Sequence, residues 1–331
     1  GKVEPSEWLD SLQGEQWGYR RRARLGVKFV HKKQRVLVGF RERRKPYIAE
    51  IDNCDVLIPA VGKLIRALAT MVGTLSIRDR IPQIEVAAGD NATALVFRVL
   101  SEPSTDDLEL LRKFSRQHRF QIYLQSGGLD SIFALDKQDA PLAYTVFATG
   151  TRFEFGPSDF IQVNAEINNK IVKRVLEHFM LTCEHKVLDL FCGLGNFSLP
   201  LATIAKNVVG IEGDGALING AKNNAKRNGI ENANFFVANL FEDFSDFSWA
   251  RQSYSAVLLD PPRAGAELVC RHIGQFKAER IIYVSCHPAT LARDAGILVN
   301  EVGYRLTSAG IMDMFPHTSH VESMAIFDKQ A

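Results

Sequence analysis

Val187-Leu188-Asp189-Leu190-Phe191-Cys192-Gly193-Leu194-Gly195-Asn196-Phe197 reads as an apolar strand running into a glycine turn and then a helix. Glycines let the backbone approach a ligand closely, and the first turn of the following helix leaves amides free to bind it. Around this stretch strand and helix patterns alternate: a helix over 164–178, a strand over 186–191, a helix to 205, a strand over 208–212 and a helix to 228. Strands follow at 234–237, 256–260 and 280–285, with helices near 266–275 and from 288. Such alternation implies a largely parallel, doubly wound sheet. The last two strand patterns, 305–312 and 322–327, have no long helix between them and are expected to close one edge as an antiparallel pair.

The first half has a different rhythm. Two strands flank a 32–34 turn, 59–72 has helical spacing, 84–99 reads as two strands turning near 88–91, and 106–118 is helical. Strand-like pieces at 121–124, 132–135 and 144–148 complete a mixed α+β region. The expected division is a short helical segment in 1–16, centred on 6–13, an α+β domain over 17–155, and the doubly wound domain over 156–331.

Of 331 residues, 46% are apolar and 24% charged, enough for a sizeable core. No uninterrupted apolar run approaches the ~18–20 residues of a membrane helix, and no secretory signal is seen. Five scattered cysteines without a CxxC pair fit a reducing cytoplasm better than a disulfide framework. The net charge of +2 hides an asymmetry. Between Trp17 and Pro46 twelve Lys or Arg, from Arg20 to Lys45 and including Arg43, face only Glu42, leaving that stretch at +11 and the rest at −9. A basic arm on an acidic protein is the footprint of a polyanion partner, and no obligate protein partner is evident.

Polar residues gather at the ends of the parallel strands, where open α/β sheets bind ligands. Glu212 ends the second strand nineteen residues after Gly193, where a carboxylate can accept both hydroxyls of an adenosyl ribose. The third glycine of the dinucleotide fingerprint is missing, so an adenosyl cofactor is indicated with NAD still open. Asn239 follows the third strand. Asp260-Pro261-Pro262-Arg263 ends the fourth, and its prolines make a stiff backbone that can aim the carboxylate at a ligand. Cys286 leaves the strand over 280–285 just before His287-Pro288, placing a thiol in the same row.

Five ordered motifs resemble bacterial RNA uracil-C5 methyltransferases: Phe160-Ile161-Gln162-Val163-Asn164, the stretch from Asp189 to Phe197, Asp260 to Gly265, Val284 to Asp294, and Asp313 to Glu322. Trp17-Gly18-Tyr19-Arg20-Arg21-Arg22-Ala23-Arg24 adds a likeness to the branch that modifies 23S ribosomal RNA. The resemblance implies an α/β, Rossmann-like S-adenosylmethionine-dependent methyltransferase with a mostly parallel seven-stranded sheet and a smaller α+β N-terminal domain that binds ribosomal RNA. It implies Cys286 as nucleophile, Glu322 as general base, and Gln162, Phe191, Asn196, Glu212, Asn239 and Asp260 as the cofactor site. His287 stands where asparagine is common, and Pro262 where alanine often occurs.

Members of this branch usually begin with a small β-barrel and three cysteines that, with a later fourth, hold an iron–sulfur cluster. Here only the candidate fourth, Cys54, is present, and one thiol cannot hold a 4Fe-4S cluster. A fragment lacking those parts is expected, with a cluster only in a longer native chain. No metal site is expected from His317 and His320, whose spacing without a thiolate is a weak ligand pattern.

The implied chemistry needs a nucleophile and a base on one positioned ring. Uracil C5 is a poor nucleophile until a thiolate adds at C6. His287, the helix from Pro288 and Arg263 are the groups expected to favour that thiolate. The base must first be turned out of folded RNA, and Phe160 is a candidate stacking residue, equally readable as core. Competing readings are methylation of an amino group, weakened because Arg263 replaces the aromatic residue that usually follows Asp-Pro-Pro there, and an RNA-binding assembly factor without catalysis. A dehydrogenase is more distant still.

Overall fold

In β10 (Lys186–Leu190), β13 (Ala256–Leu259) and β14 (Arg280–Ser285) nearly every side chain is buried, which an apolar strand achieves only with both faces covered. A computed structural model describes residues 3–42, 44–137 and 140–330 of the chain. Arg43 of the basic arm lies outside the described residues. Two units are formed: Gly1–Gly14 with Thr145–Phe153 and Glu166–Ala331, and Glu15–Tyr144 with Glu154–Ala165.

In chain order the elements are β1 (Glu7–Trp8), β2 (Arg22–Val30), β3 (Arg35–Gly39), α1 (Pro59–Gly62), α2 (Ile65–Thr74), β4 (Gln83–Ala88), β5 (Thr93–Arg98), α3 (Thr105–His118), β6 (Phe120–Gln125) and β7 (Ile132–Ala134). β8 (Leu142–Val146) and β9 (Thr151–Phe155) form a ribbon through which the chain passes between units. Then come α4 (Ala165–Phe179), β10, α5 (Ser198–Ala202), β11 (Asn207–Glu212), α6 (Gly215–Arg227), β12 (Ala233–Val237), β13, α7 (Glu267–His272), β14, α8 (Pro288–Ile297), β15 (Tyr304–Met312) and β16 (Glu322–Lys329).

The larger unit holds an eight-stranded sheet in the order β1-β15-β16-β14-β13-β10-β11-β12. β14 through β12 run parallel, and β16 inserts antiparallel between β14 and β15. The expected seven strands are joined by β1, which corrects the expectation of a helix at 6–13. The segment is extended and pairs parallel with β15, Glu7 against Ser308 and Trp8 against Ala309. Leu12 bridges to Met312. Eight residues cannot form a stable helix without tertiary support, whereas the open edge of β15 offers backbone partners at once. The final antiparallel pair is therefore not the sheet's edge.

The smaller unit carries a six-stranded sheet, β3-β2-β4-β5-β6-β7, with α2 and α3 contributing to the core on its apolar face. Ser104 caps α3 in a reciprocal box with Asp107. The spacing over 59–72 is helical as expected but breaks at Lys63-Leu64 into α1 and α2. Among the described residues no helix is long and apolar enough to cross a membrane.

Candidate active site

Sheet order places the strand-end residues in a line: Cys286 after β14, Asp260 after β13, Phe191 after β10 and Glu212 closing β11. The antiparallel pairing of β14 with β16 adds a residue from the far end of the chain. Ser285 is registered with Ser323, so the next positions along, Cys286 and Glu322, face each other across the two strands. Glu322 is only 6% exposed.

The glycine turn is tied to the second strand. Glu212 Oε2 accepts the Gly193 amide at 3.2 Å, and Oε1 accepts the amides of Gly213 and Asp214 at 2.7 and 3.1 Å. The carboxylate is thus held rigid before a ligand arrives. Gly193 has φ +54°, and a Cβ there would enter open space, so backbone conformation rather than crowding selects glycine. Phe191 takes the left-handed region without that freedom, at φ +67°, with its ring 5.7 Å from that of Phe241.

Asn196 exchanges two amide hydrogen bonds with Asn168 of α4, at 3.0 and 2.9 Å. Asn168 escaped the sequence reading, although it is a polar residue inside the buried stripe 168-171-172-175-179 of α4. Asn239 is turned onto its own loop, its Oδ1 accepting the Phe241 amide at 3.1 Å and its Nδ2 donating to Glu242 at 2.7 Å. Gln162 belongs to the smaller unit, half-buried in the segment before α4. Phe160 in the same segment is 68% exposed, so the core reading of that residue does not hold.

Carboxylates crowd the site. Burial, reinforced by the charge of Glu322, pushes Asp260 up to about 8. Burial alone raises Glu322 to about 7. Asp189 is fully buried and rises to about 7, chiefly by desolvation, with Asp260 and Glu212 adding to it against the hydrogen bond from Ser198. Its Oδ2 accepts Ser198 Oγ at 2.5 Å, while its Oδ1 has no hydrogen-bond partner among the described residues. Clustered acids with an orphaned buried oxygen suit a cationic ligand. S-adenosylmethionine, with a sulfonium, an ammonium and a ribose diol, fits this donor set.

The Cys286 thiol is pushed up, first by burial and then by Glu322 and Asp260, with Arg263 pulling it down. Of the three groups expected to favour the thiolate, Arg263 acts on the thiol as a charge. His287 caps α8, its Nδ1 accepting the Thr290 amide at 3.4 Å. The Arg263 guanidinium lies 2.8 Å from Nδ1 of His320 in the loop before β16, and α8 begins two residues after the thiol.

These pKa shifts have a stability consequence. Carboxylates ionise near ~4 in an unfolded chain, while Asp189, Asp260 and Glu322 keep protons to about 7, 8 and 7 when folded. The native state therefore binds more protons between these limits. Stability is fully present below the unfolded values and is lost as pH rises through the folded ones. Thermal melts of the ligand-free protein are expected to show a midpoint that falls from about pH 4 to about pH 8 and levels off above it, with a shallower fall in Asp260→Asn.

A parallel sheet with a ligand-binding crevice at its switch point, closed by an antiparallel strand beside the last parallel one, is the fold of S-adenosylmethionine-dependent methyltransferases. The solved Pyrococcus abyssi tRNA (uracil-54, C5)-methyltransferase in complex with S-adenosyl-L-homocysteine shares it, with a TM-score of 0.74 over 96% of this chain and 78% of that one at 23% identity. Within that class the chain belongs to the tRNA (uracil-5-)-methyltransferase family, whose pattern matches residues 9–330. It is 52% identical over 331 residues to the 23S rRNA (uracil(1939)-C(5))-methyltransferase RlmD of Nitrosococcus oceani, covering 99% of this chain and 74% of the relative. The RlmD protein of Methylococcus capsulatus is 49% identical over 330 residues, with the same two coverages.

Proposed function

We infer that the protein methylates C5 of a uridine in 23S ribosomal RNA, with Cys286 as nucleophile and Glu322 as base. The supporting observation is the β14–β16 register, which sets a thiol and a buried carboxylate opposite each other beside Asp260. S-adenosylmethionine, when bound, supplies an electrophilic methyl group on its sulfonium. Glu212 and the glycine turn would hold its ribose, Asp189 and Asp260 would answer its positive charge, and Asn196, Phe191 and Asn239 would complete the site within the larger unit, the role of Gln162 resting on the resemblance alone. Asn239 would first release its hold on Glu242.

The Cys286 thiolate forms a bond to uracil C6, and the C5–C6 π electrons shift towards C5 and the C4 oxygen. Once C5 carries the methyl group, Glu322 takes the C5 proton. The electron pair of that C–H bond restores the double bond and expels the thiolate. Asp260, carrying a proton or accepting from N3–H, holds the ring. Incubation with S-adenosylmethionine and a 23S fragment, followed by nucleoside mass analysis, is expected to yield 5-methyluridine. A methylated amino group in its place would sink the reading.

RNA contact is assigned to the smaller unit. The basic arm is partly neutralised on folding: Arg21 pairs with Asp90, Arg22 and Arg24 with Glu85, Lys33 and Arg35 with Glu50, and Lys45 with Glu42. Lys28 and Lys32 of the β2–β3 hairpin are exposed, with no acid against them among the described residues. Phosphate contact is expected there. Lys28→Glu with Lys32→Glu should weaken RNA binding without changing S-adenosylmethionine affinity, and should reduce the log–log salt slope by about 2. Titrations at several salt concentrations check it. The exposure of Phe160 supports its reading as a stacking residue for an unstacked base.

The iron–sulfur cluster of the branch does not fit the described residues, among which no group of three His, Cys, Asp or Glu could hold a metal. Cys54 lines a hollow of about 410 Å³ with Trp17, Asp55, Pro59 and Lys63. It would ligate a cluster only if three further thiolates came from a longer chain. The five free cysteines accord with a cytoplasmic setting.

A further inference from the structure

Asp260 and Arg263 sit on a loop with few backbone hydrogen bonds of its own, Gly265 N–H to the Pro262 carbonyl at 2.8 Å and Asp260 N–H to the Leu190 carbonyl at 3.3 Å. Pro261 and Pro262 carry no amide hydrogen, so the loop must be fixed through its carbonyls and its later amides. One face of α8 supplies what it needs. Thr290 Oγ1 shares its proton between the His287 carbonyl at 3.0 Å and the Arg263 carbonyl at 3.3 Å, Arg293 Nη2 donates to the Ala264 carbonyl at 2.9 Å, and Asp294 Oδ2 accepts the Ala266 amide at 2.7 Å. Positions 290, 293 and 294 are i, i+3 and i+4, one stripe of one helix.

Asp294 is fully buried and itself fixed, Oδ2 by the Tyr283 hydroxyl at 2.6 Å and Oδ1 by Arg293 Nε at 2.8 Å. The closeness of the fit shows at Gly265, at φ +78°. A Cβ there would lie 2.6 Å from both Arg293 Nη2 and Asp294 Oδ2 and 2.9 Å from Thr290 Cβ. α8 begins two residues after Cys286, and Tyr283 lies three residues before it. The same stripe therefore joins the loop to the element that carries the thiol.

We propose that Thr290, Arg293 and Asp294 form a positioning clamp that holds the Asp260–Arg263 loop in register with Cys286. The charged groups facing the thiol are Glu322 from β16, Asp260 after β13 and Arg263 from the clamped loop; of these charges Arg263 is the one that favours the thiolate, alongside a backbone hydrogen bond at Cys286. Releasing the loop removes that one favourable charge from its set position. The residues of the clamp touch neither thiol nor substrate in this role; they act through Arg263 and Asp260.

The inference rests on Cys286 as the reacting thiol, yet its test does not need methyl transfer. Cys286 alkylation by iodoacetamide is followed against pH by mass spectrometry of the Cys286 peptide in the intact chain. Arg293 is 40% exposed, so Arg293→Met should fold. Its alkylation profile is expected to move to higher pH by about one unit, a roughly tenfold slower reaction at neutral pH. Arg293→Lys should fall between Arg293→Met and the unsubstituted protein, since one ammonium replaces a fork of donors. Arg271→Met, which breaks ion pairs to Glu267 and Glu301 but touches no part of the loop, should leave the profile in place. If Arg293→Met does not fold, Thr290→Val removes only the hydroxyl's bonds and is read the same way. An unmoved profile in a folded clamp variant overturns the proposal. A moved profile in a protein that transfers no methyl group to uridine overturns the proposed function and leaves the clamp standing.

Discussion

Cys286→Ala is expected to bind S-adenosylmethionine and RNA as before and to transfer no measurable methyl group, a loss of about 10⁴-fold or more in kcat, or ~5 kcal/mol of barrier. The size follows from what the thiol does. Without a bond at C6 the ring has no electron-rich C5, and no other described group near the site can take its place. Cys192 and Cys270 are buried away from solvent, and burial pushes both thiols well up. With 5-fluorouridine in the RNA, the unsubstituted protein should accumulate a methylated covalent adduct at Cys286, because fluorine cannot leave as a proton does. Mass spectrometry of the trypsin-digested adduct reads both results. Full methyl transfer by Cys286→Ala would move the reaction to a nitrogen acceptor.

Glu322→Gln should fail at a different point. The thiolate still adds and C5 still receives its methyl group, but no base removes the C5 proton, so a methylated protein–RNA adduct should build up on ordinary uridine. Turnover is expected to drop about 10³-fold. Glutamine keeps the volume and can still hydrogen-bond, so the buried position on β16 should remain folded. In the unsubstituted protein, burial holds this carboxyl up to about 7. The base is therefore half-charged near neutrality, and kcat should rise with pH through about 7 before other groups intervene. Denaturing gels of the RNA–protein mixture and a pH–rate profile check the two statements. A variant that turns over normally would remove Glu322 from the role.

Much of this site could be read along the chain because its parts are local. The glycine turn, the acid ending β11, the Asp-Pro-Pro step and the thiol after β14 each follow an apolar strand, and strands of a doubly wound sheet all point their C-terminal ends to one side. The β2–β3 and β4–β5 hairpins were legible for the same reason, through alternation around a turn. The segment 6–13 was not. Its residues tolerate helix or strand, and the edge of β15, three hundred residues away, decides between them.

The basic arm shows a related limit. Composition counts Arg22, Arg24 and Arg35 as free positive charge, but β4 brings Glu85 against the first two and Glu50 folds onto the third. The part His287 plays as the cap of α8 appears only in space.

Periodicity, turn residues and strand-end polar groups thus determined the α/β class and the row of polar side chains at the strand ends, since those properties depend on neighbours within a few residues. Tertiary structure decided which of them meet. The antiparallel insertion of β16 sets Glu322 opposite Cys286, thirty-six residues further along the chain. Asn168 and the stripe of α8 act by contacts made only when helices pack on the sheet. Charge states were decided there too, because desolvation and the approach of one carboxylate to another are properties of a packed interior and not of a chain in water.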